Sequence, residues 1–268
     1  MSENRQTEMM ERSLSFEEIG GFDSKVSQGS IDGFKTIHKF GGGICGTAER
    51  TVWDNMAAAD YPYKYTNTPM TIVSSSASDT GQTITVQYIT LVGSDWVYGF
   101  GVAVTNGLTP VTVQNATIEY VSLGENASIM FPYRASNRGT GQGTGSMVGT
   151  LSIANGGTTY AQIRAGVNQT LMAIFPVASG YSVFTHSIGR SVVGSNKFAT
   201  FTYSVTPFGQ CRQARRVVGL SSNTEFETFD LPYFFGEKTI LEVRSKIDVG
   251  TAEVNGWFDL FLVENRVL

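Results

Sequence analysis

The sequence predicts an all-β protein, with an antiparallel β-sandwich or jelly-roll-like body and an extended N-terminal arm. Two observations support this fold class: a low content of charged residues, and many short runs in which apolar and polar residues alternate. Charged residues make up 16% of the 268 residues, well below the roughly one quarter that is typical of soluble proteins. Because long helices usually carry a charged outer face, this composition favours strands.

The individual strands are predicted from the period-two alternation of β-branched and aromatic residues, which begins at about Thr71. The clearest run is TITVQYITLV at residues 83–92. No amphipathic helical stretch separates the runs, and Gly, Asn and Ser turns lie between them, as in sandwiches and jelly rolls. Further runs span residues 97–104, 116–121, 128–133, 147–153, 159–163, 169–177, 181–187, 199–206, 215–220, 225–231, 239–244 and 256–263.

The domain organisation expected from the sequence is an arm followed by one large body. Residues 1–50 are predicted as an extended, partly disordered N-terminal arm, least ordered over residues 1–35. Residues 51–268 form the predicted body, which either is one sandwich or divides into two sub-domains near residue 165. An arm that buries little apolar surface by itself is expected to dock on a neighbouring subunit.

The charge distribution separates the first residues from the rest of the chain. The net charge is −4, and residues 1–24 account for all of it, with six acids and two bases. A neutral body offers no electrostatic surface for a specific nucleic-acid partner. No apolar run approaches the ~20 residues of a membrane helix, so no membrane partner is expected. The acidic, polar start of the chain is not a secretion signal.

Cysteine and histidine usage predicts no metal site. The chain has two cysteines, Cys45 and Cys211, and two histidines, His38 and His186, and their spacing matches no metal-binding motif. Buried thiols are expected, with a long-range or intersubunit disulfide as the alternative.

Two glycine-rich segments superficially resemble nucleotide-binding turns. The first, NRGTGQGTGSM at residues 137–147, leads into an alternating strand pattern and not into a helix whose N-terminus could hold a phosphate. It is therefore interpreted as a hairpin connection or surface loop. The second, FGGGICG at residues 40–46, also lacks a following helix. No cofactor is predicted from either segment.

No catalytic residue is predicted. A GxSxG nucleophile motif is absent, and His38 and His186 are the only imidazoles that could act as a base. The acids of the body lie mostly singly beside turns. A pair of carboxylates meeting in space remains the one catalytic arrangement that the sequence leaves open.

Aromatic residues give the only candidates for partner contact. The segment YPYKYTNTP at residues 61–69 carries Tyr61, Tyr63 and Tyr65 among prolines that prevent central-strand pairing. Near the end of the chain, WFDLFLVENRVL predicts a strand that is apolar on both faces, with Trp257 and Phe261 on one of them. The preceding strand, FGEKTILEVRSKI, is expected to place Lys238, Glu242 and Lys246 outside. These aromatic residues either fill the core and subunit interfaces or bind carbohydrate.

Several segments together resemble a family of virion structural proteins of tailed bacteriophages. The resemblance runs from about residue 39 to residue 264 and is one of motif order and spacing. It rests on KFGGG, ERTVWD, YPY, MTIVSSSASDT, QTLMAIFPVASGYSVF, FTYSVTPFGQ, EKTILEVRSKID and NGWFDLFLV.

The resemblance implies a structural subunit of a tailed-phage virion, made in the cytoplasm of the host bacterium. A head decoration or a neck or collar protein is expected, which assembles through interfaces of the β-body and exchange of arms. Its partners would be copies of itself and other virion proteins, such as the major capsid, connector or tail proteins. The alternative is a tail, baseplate or fibre component with a carbohydrate- or receptor-binding face.

Overall fold

The structure, a computed structural model, describes residues 25–26, 29–116, 125–138, 145–194, 196–221 and 223–267. These residues form seventeen β-strands and one short 3-10 helix, Asn265–Val267, so the predicted all-β, antiparallel fold class is confirmed. None of the described helical residues forms a helix that is long and apolar enough to cross a membrane.

The strands follow one another in three groups along the chain. The first group is β1 (Phe34–Cys45) and β2 (Arg50–Thr51). The second group is β3 (Thr71–Ser74), β4 (Thr80–Val92), β5 (Asp95–Asn106), β6 (Val111–Thr112), β7 (Gln114–Asn115), β8 (Phe131–Asn137), β9 (Leu151–Asn155) and β10 (Thr158–Ile163). The third group is β11 (Ile174–Pro176), β12 (Tyr181–Val193), β13 (Phe198–Pro207), β14 (Gln213–Ser221), β15 (Thr224–Phe235), β16 (Thr239–Ile247) and β17 (Ala252–Glu264).

Four antiparallel sheets are built from these strands. Sheet I has the order β7-β5-β4-β8, and sheet II has the order β10-β9-β3-β6. Sheet III has the order β11-β16-β13-β14, with β2 paired to β16 as well, and sheet IV has the order β1-β17-β12-β15. Sheets I and II therefore use only the second group of strands, whereas sheets III and IV combine the first and third groups.

One contiguous apolar core joins the four sheets. Buried residues from before and after Arg164 belong to the same cluster. At the junction, the ring of Tyr133 in sheet I lies 5.6 Å from that of Phe175 in sheet III, and the ring of Tyr98 lies 5.4 Å from that of Tyr181 in sheet IV. Apart from β1 and β2, the strands thus divide between two pairs of sheets near residue 165, the position of the expected split. The two pairs of sheets nevertheless share one core.

The N-terminal arm does not extend to residue 50. β1 pairs with β17 over twelve successive residues, from Phe34 opposite Val263 to Cys45 opposite Ala252. Residues 34–45 are therefore an integral strand of sheet IV, and the predicted boundary was wrong. Residues 1–24 and 27–28 of the predicted arm lie outside the described residues.

The glycines of β1 explain why this strand does not show a regular alternating pattern. A Cβ atom on Gly41 would lie 2.3 Å from both the Val52 carbonyl oxygen and the Ala173 amide nitrogen. Only glycine permits this approach between β1 and the two neighbouring segments. The FGGGICG segment is consequently a close-packed strand, and its end carries the buried Cys45. Cys211 is exposed, and neither thiol is in a disulfide.

Two other predicted features lie partly outside the residues that the structure describes. Of the predicted strand at residues 116–121, only residue 116 is described. In the glycine-rich segment 137–147, residues 139–144 lie outside the described residues. After that segment, the strand begins at Leu151, because the backbone of residues 148–149 is engaged by a side chain from the β3–β4 turn.

Candidate functional site

The tyrosines of the 61–69 segment do not form an exposed cluster. Tyr61 is buried, and its hydroxyl donates a hydrogen bond of 2.8 Å to the Pro132 carbonyl oxygen. Its ring packs edge-on against Trp53 and Phe131, with centroid distances of 5.4 and 6.0 Å. The prediction that Tyr61 contacts a partner was therefore wrong, because its side chain is a component of the core.

Tyr63 and Tyr65 have different surroundings. The Tyr63 hydroxyl points inward and donates a hydrogen bond to Glu242. Tyr65 is 43% exposed and lies against Trp96 and Phe208, with ring centroids 6.3 and 6.2 Å away. Of the three tyrosines, Tyr65 is the one that presents an aromatic surface to solvent. Phe208, which is not among the residues predicted from the sequence, extends that surface.

Trp257 and Phe261 lie on one face of β17, as the alternation predicts. The indole of Trp257 stacks on Phe40 at 6.2 Å and covers Gly189 of β12, where a Cβ atom would lie 1.8 Å from the indole. Phe261 is almost wholly buried, and its ring centroid lies 5.6 Å from that of His186. The opposite face of β17 is buried as well, through Phe258 and other residues. These two aromatic residues thus pack on their own sheet and do not adjoin the tyrosine segment.

A buried charged network lies on sheet III, around a residue of β16 that the sequence pattern predicts to face solvent. Glu242 is fully buried, contrary to its predicted outward position on β16. Its carboxylate accepts hydrogen bonds from the Thr51 hydroxyl at 2.6 Å and from Tyr63, and lies 2.9 Å from the Arg212 guanidinium. Lys246 is exposed, as expected.

Arg244, two residues after Glu242 on β16, adds a positive charge to this network. Its guanidinium lies 3.3 Å from Glu242 and 2.7 Å from Asp60. Burial by itself lowers the pKa of Arg244, but the hydrogen bond to Asp60 and the charges of Glu242 and Asp60 outweigh it and raise that pKa. Because the buried carboxylate is engaged by donors, the network fixes the 49–63 segment to sheet III.

Asp79 organises the turn of the VSSSASDT motif. Its buried carboxylate accepts a hydrogen bond from the Ser74 hydroxyl at 2.5 Å and from the backbone amides of Val148 and Gly149 at 2.9 and 2.8 Å. Burial raises the pKa of Asp79, but the three hydrogen bonds together lower it by more than burial raises it. The pKa of Asp79 therefore lies below its ordinary value. The motif therefore ties the β3–β4 turn to the end of the glycine-rich segment.

His38, Asp259 and Ser187 form a hydrogen-bonded group on sheet IV, which extends from the exposed His38 to the buried Ser187. The His38 Nδ1 atom lies 2.5 Å from Asp259 Oδ1, and the Ser187 hydroxyl donates to the other carboxylate oxygen. The aspartate stands between the other two side chains, whereas nucleophilic catalysis needs the histidine next to the serine. Within the described part of the chain, no three His, Cys, Asp or Glu side chains are placed to hold a metal ion.

A groove of about 760 Å³ lies between the start of β1 and sheet I. We call it the Lys39 groove. A second lobe of about 510 Å³ continues it past His38 and Asp259. Residues that define the groove are Lys35, Ile37 and Lys39 of β1, Tyr88, Tyr98 and Phe100 of β4 and β5, and Tyr133 and Arg134 of β8.

Lys39 is the buried cation of this groove. It is only 5% exposed, its ammonium group donates a hydrogen bond to the Tyr133 carbonyl oxygen, and it lies 5.6 Å from the centroid of the Tyr133 ring. Burial, and secondarily the charge of Arg134, lowers the pKa of Lys39 to about 7. No ion pair joins Lys39 to an acid within the described residues. The groove therefore combines aromatic walls with a buried amine that is partly protonated near pH 7 and would bind its proton more tightly if an anion lay beside it.

Comparisons with known proteins give no family. No family model matches the chain, and no curated protein matches it. Among solved structures, T=1 particles derived from infectious bursal virus share 10% identity, with a TM-score of 0.26 and coverage of 87% of this chain and 69% of that one. The VP2 subviral particle of infectious bursal disease virus shares 9% identity, with a TM-score of 0.23 and coverage of 87% and 72%.

A protein of another kind matches at a similar level. The tryptic core of a Cry1Da variant from Bacillus thuringiensis shares 10% identity, with a TM-score of 0.20 and coverage of 82% of this chain and 53% of that one. Structural likenesses of this size carry no conclusion about function.

Proposed function

We propose that this protein is a structural subunit of a virus particle, which assembles with copies of itself through the edge formed by β14 and β15. The observation that carries the proposal is the apolar character of this edge. β14 is an outer strand of sheet III and β15 an outer strand of sheet IV. Large apolar side chains on them are strongly exposed: Val217 58%, Phe226 56%, Leu231 88% and Phe234 54%.

Such an edge is a template for association. Outer strands present unpaired backbone groups; on β15 the charges of Glu225 and Glu227 and the ring of Pro232 limit direct strand pairing, so association would proceed through the exposed apolar side chains. Here β15 is twelve residues long, and its pairing with β12 shifts register between Thr185 and Ser187. This shift leaves residues 229–232 of β15 opposite a single residue, and Leu231 lies within that bulge.

A second copy of the chain is the occupant that this edge fits. The edge carries charges of both signs, with Arg215 and Arg216 on β14 and Glu225 and Glu227 on β15. Arg216 and Glu227 already pair at 2.9 Å within one chain. Because charges of both signs lie on this edge, a second copy related by a two-fold axis can place its arginines against the glutamates of the first, as an interface between identical subunits requires.

The finer assignment within the particle follows from the sequence resemblance. We propose a tailed-phage virion, synthesised in the bacterial cytoplasm, with this protein as a head decoration or a neck or collar subunit that contacts other virion proteins and exchanges N-terminal segments between copies. The proposal includes no catalytic activity, since the His38–Asp259–Ser187 group lacks a contact between base and nucleophile.

The assembly interface is tested by the size of the purified protein in solution. Light scattering coupled to size exclusion should detect an oligomer for the natural chain and a monomer for Phe226→Lys combined with Leu231→Lys. Val249→Lys, at a strongly exposed position of the β16–β17 turn, is the matched control and should leave the oligomer intact. A natural chain that stays monomeric at all concentrations would contradict the interface.

The place in a particle needs a separate measurement. Mass spectrometry of purified virions should detect this chain in a fixed ratio to the major capsid protein. Its absence from intact virions would end the proposal of a particle subunit, whatever its oligomeric state.

A tail or fibre component that binds carbohydrate is the second candidate. One observation favours it: Tyr65 and Phe208 form an exposed aromatic pair beside Trp96, and sugars stack on such surfaces. A glycan array of the natural chain against Tyr65→Ala and Phe208→Ala separates the two candidates. Glycan binding that both substitutions abolish would favour this second candidate over the first.

A further inference from the structure

The Lys39 groove has the composition of a binding site for an acidic, aromatic polypeptide. Its described lining residues include Lys35, His38, Lys39 and Arg134 and contain no Asp or Glu. In the adjoining lobe, the carboxylate of Asp259 is already engaged by His38 and Ser187. A carboxylate that enters the groove would therefore meet cations without having to displace an acid.

The burial of Lys39 is a second, independent observation that favours an anion in the groove. Its side chain is more than nine-tenths buried, at the base of the groove, and its neighbouring charge is the cation Arg134. Burying a cation beside another cation costs free energy unless an opposite charge compensates it. Lys39 lies 5.6 Å from the centre of the Tyr133 ring, an arrangement that partly stabilises an ammonium group but does not neutralise it.

The N-terminal segment of the chain has the complementary composition. Residues 1–24 carry six acids and two bases and include Phe16 and Phe22. Their net charge of −4 equals the net charge of the whole chain. The segment could place carboxylates near Lys35 and Arg134 at the rim and phenyl rings against the aromatic walls.

The connection between this segment and the groove is short. Only ten residues, 25–34, lie between residue 24 and Lys35, the first residue of β1 that lines the groove. An extended chain of this length would span about 40 Å, and the hydrogen-bonded turn between Lys25 and Ser30 makes the actual span shorter. A tether of this length gives a local concentration on the order of millimolar, which favours the segment of the same chain over that of a separate copy in dilute solution.

We propose that the Lys39 groove binds the acidic N-terminal segment, residues 1–24, of the same chain. The groove is then the receptor for this segment. The inference deepens the proposed function, because exchange of segments in an assembled particle would reuse the same contacts between neighbouring copies.

The experiment uses the full-length chain in dilute solution. A carbodiimide that joins carboxylates directly to amines is applied to an equal mixture of ¹⁴N- and ¹⁵N-labelled protein, and the cross-links are mapped by mass spectrometry. We expect acids of residues 1–24 to join Lys35, within one isotope, and not to join Lys246, an exposed lysine on β16. Links spread evenly over exposed lysines, or links between isotopes, would overturn the proposal.

Charge removal provides the matched comparison. Arg134→Gln leaves Lys35 available for coupling, adds no carboxylate and removes a charge of the groove, and it should lower the yield of Lys35 links at least fivefold. Lys246→Gln, with the same change in net charge on another surface, should leave the yield unchanged. An equal yield from the Arg134→Gln protein would contradict docking in this groove. These measurements use isolated protein, so their outcome is independent of whether the chain is found in virions.

Discussion

The Tyr63 hydroxyl donates a hydrogen bond to the buried carboxylate of Glu242, which lies 179 residues later in the chain. This bond joins the segment after β2 to the central part of sheet III. Tyr63, which the sequence pattern predicts at the surface, therefore has a structural role inside the protein. The same network gives the first two testable predictions.

Replacing Tyr63 with phenylalanine removes one donor from a carboxylate that has no access to water. We expect Tyr63→Phe to lower the free energy of unfolding by about 1–3 kcal/mol, because a buried acceptor is left under-satisfied. Urea denaturation measures this change. Tyr65→Phe is the control, since Tyr65 is exposed, and it should change stability by less than about 0.5 kcal/mol. Equal effects of the two substitutions would refute the importance of the bond.

Removing Arg244 should be more damaging than removing Tyr63. Arg244→Met leaves Glu242 buried and deprives Asp60 of its partner at 2.7 Å, and the loss of one partner from a buried ion pair costs about 3–5 kcal/mol. Chemical denaturation again measures the effect. Arg215→Met removes the same charge from an exposed position on β14 and should cost little. If Arg244→Met proved as harmless, the network would be dispensable.

Gly189 is required by the indole that covers it. A Cβ atom at this position would lie 1.8 Å from Trp257, so Gly189→Ala forces the indole or the strand to move. We expect a loss of about 1–3 kcal/mol, as for other overpacked sites, visible as a lower midpoint of urea unfolding. Gly46→Ala, where nothing lies within 4 Å, is the control. A Trp257→Leu background should reduce the cost of Gly189→Ala, and an undiminished cost would locate the strain elsewhere.

Asp79 should make stability depend on acid pH. Its pKa is lowered in the folded chain, so the folded carboxyl binds a proton less tightly than the unfolded one. The resulting stabilisation is present above the unfolded value of about 3.9 and is lost as the pH falls through the folded value. Asp79→Asn should therefore cost about 1–3 kcal/mol at pH 7.

The pH series distinguishes this charge effect from a purely steric one. The difference in unfolding free energy between the natural chain and Asp79→Asn should shrink as the pH falls below about 4. Asp32→Asn, at a highly exposed carboxylate, should show a small difference throughout. A gap for Asp79→Asn that is constant from pH 7 to pH 3 would mean that the carboxylate charge is not involved.

The sequence predicts strands well where alternation alone determines them. β4, β5, β13, β16 and β17 coincide with runs of β-branched and aromatic residues, because each buries at least one regular face. β1 was missed because close approach to Val52 and Ala173 requires glycine at a position where alternation would place a side chain. The predicted strand at 169–177 is shorter, Ile174–Pro176, since the Leu171 amide bonds to Asp54 instead of to a neighbouring strand.

The candidate site was less predictable than the fold. Glu242 was placed outside because a charged residue on a strand usually faces water, and its partners Thr51 and Tyr63 are distant in sequence. One signal was available: Glu242 and Arg244 are two apart on a strand, so their side chains share a face. Lys39 gave no comparable signal, because its burial depends on how sheet I packs over β1.

The pairing of β1 with β17 also constrains how the chain can fold during synthesis. Phe34 lies opposite Val263, so the first strand of the body must wait until the last strand has left the ribosome. Contacts between residues so far apart in sequence form slowly. Until then the glycine-rich β1 stays without its partner strand, and a chain truncated before residue 252 lacks the strand that pairs with β1 altogether.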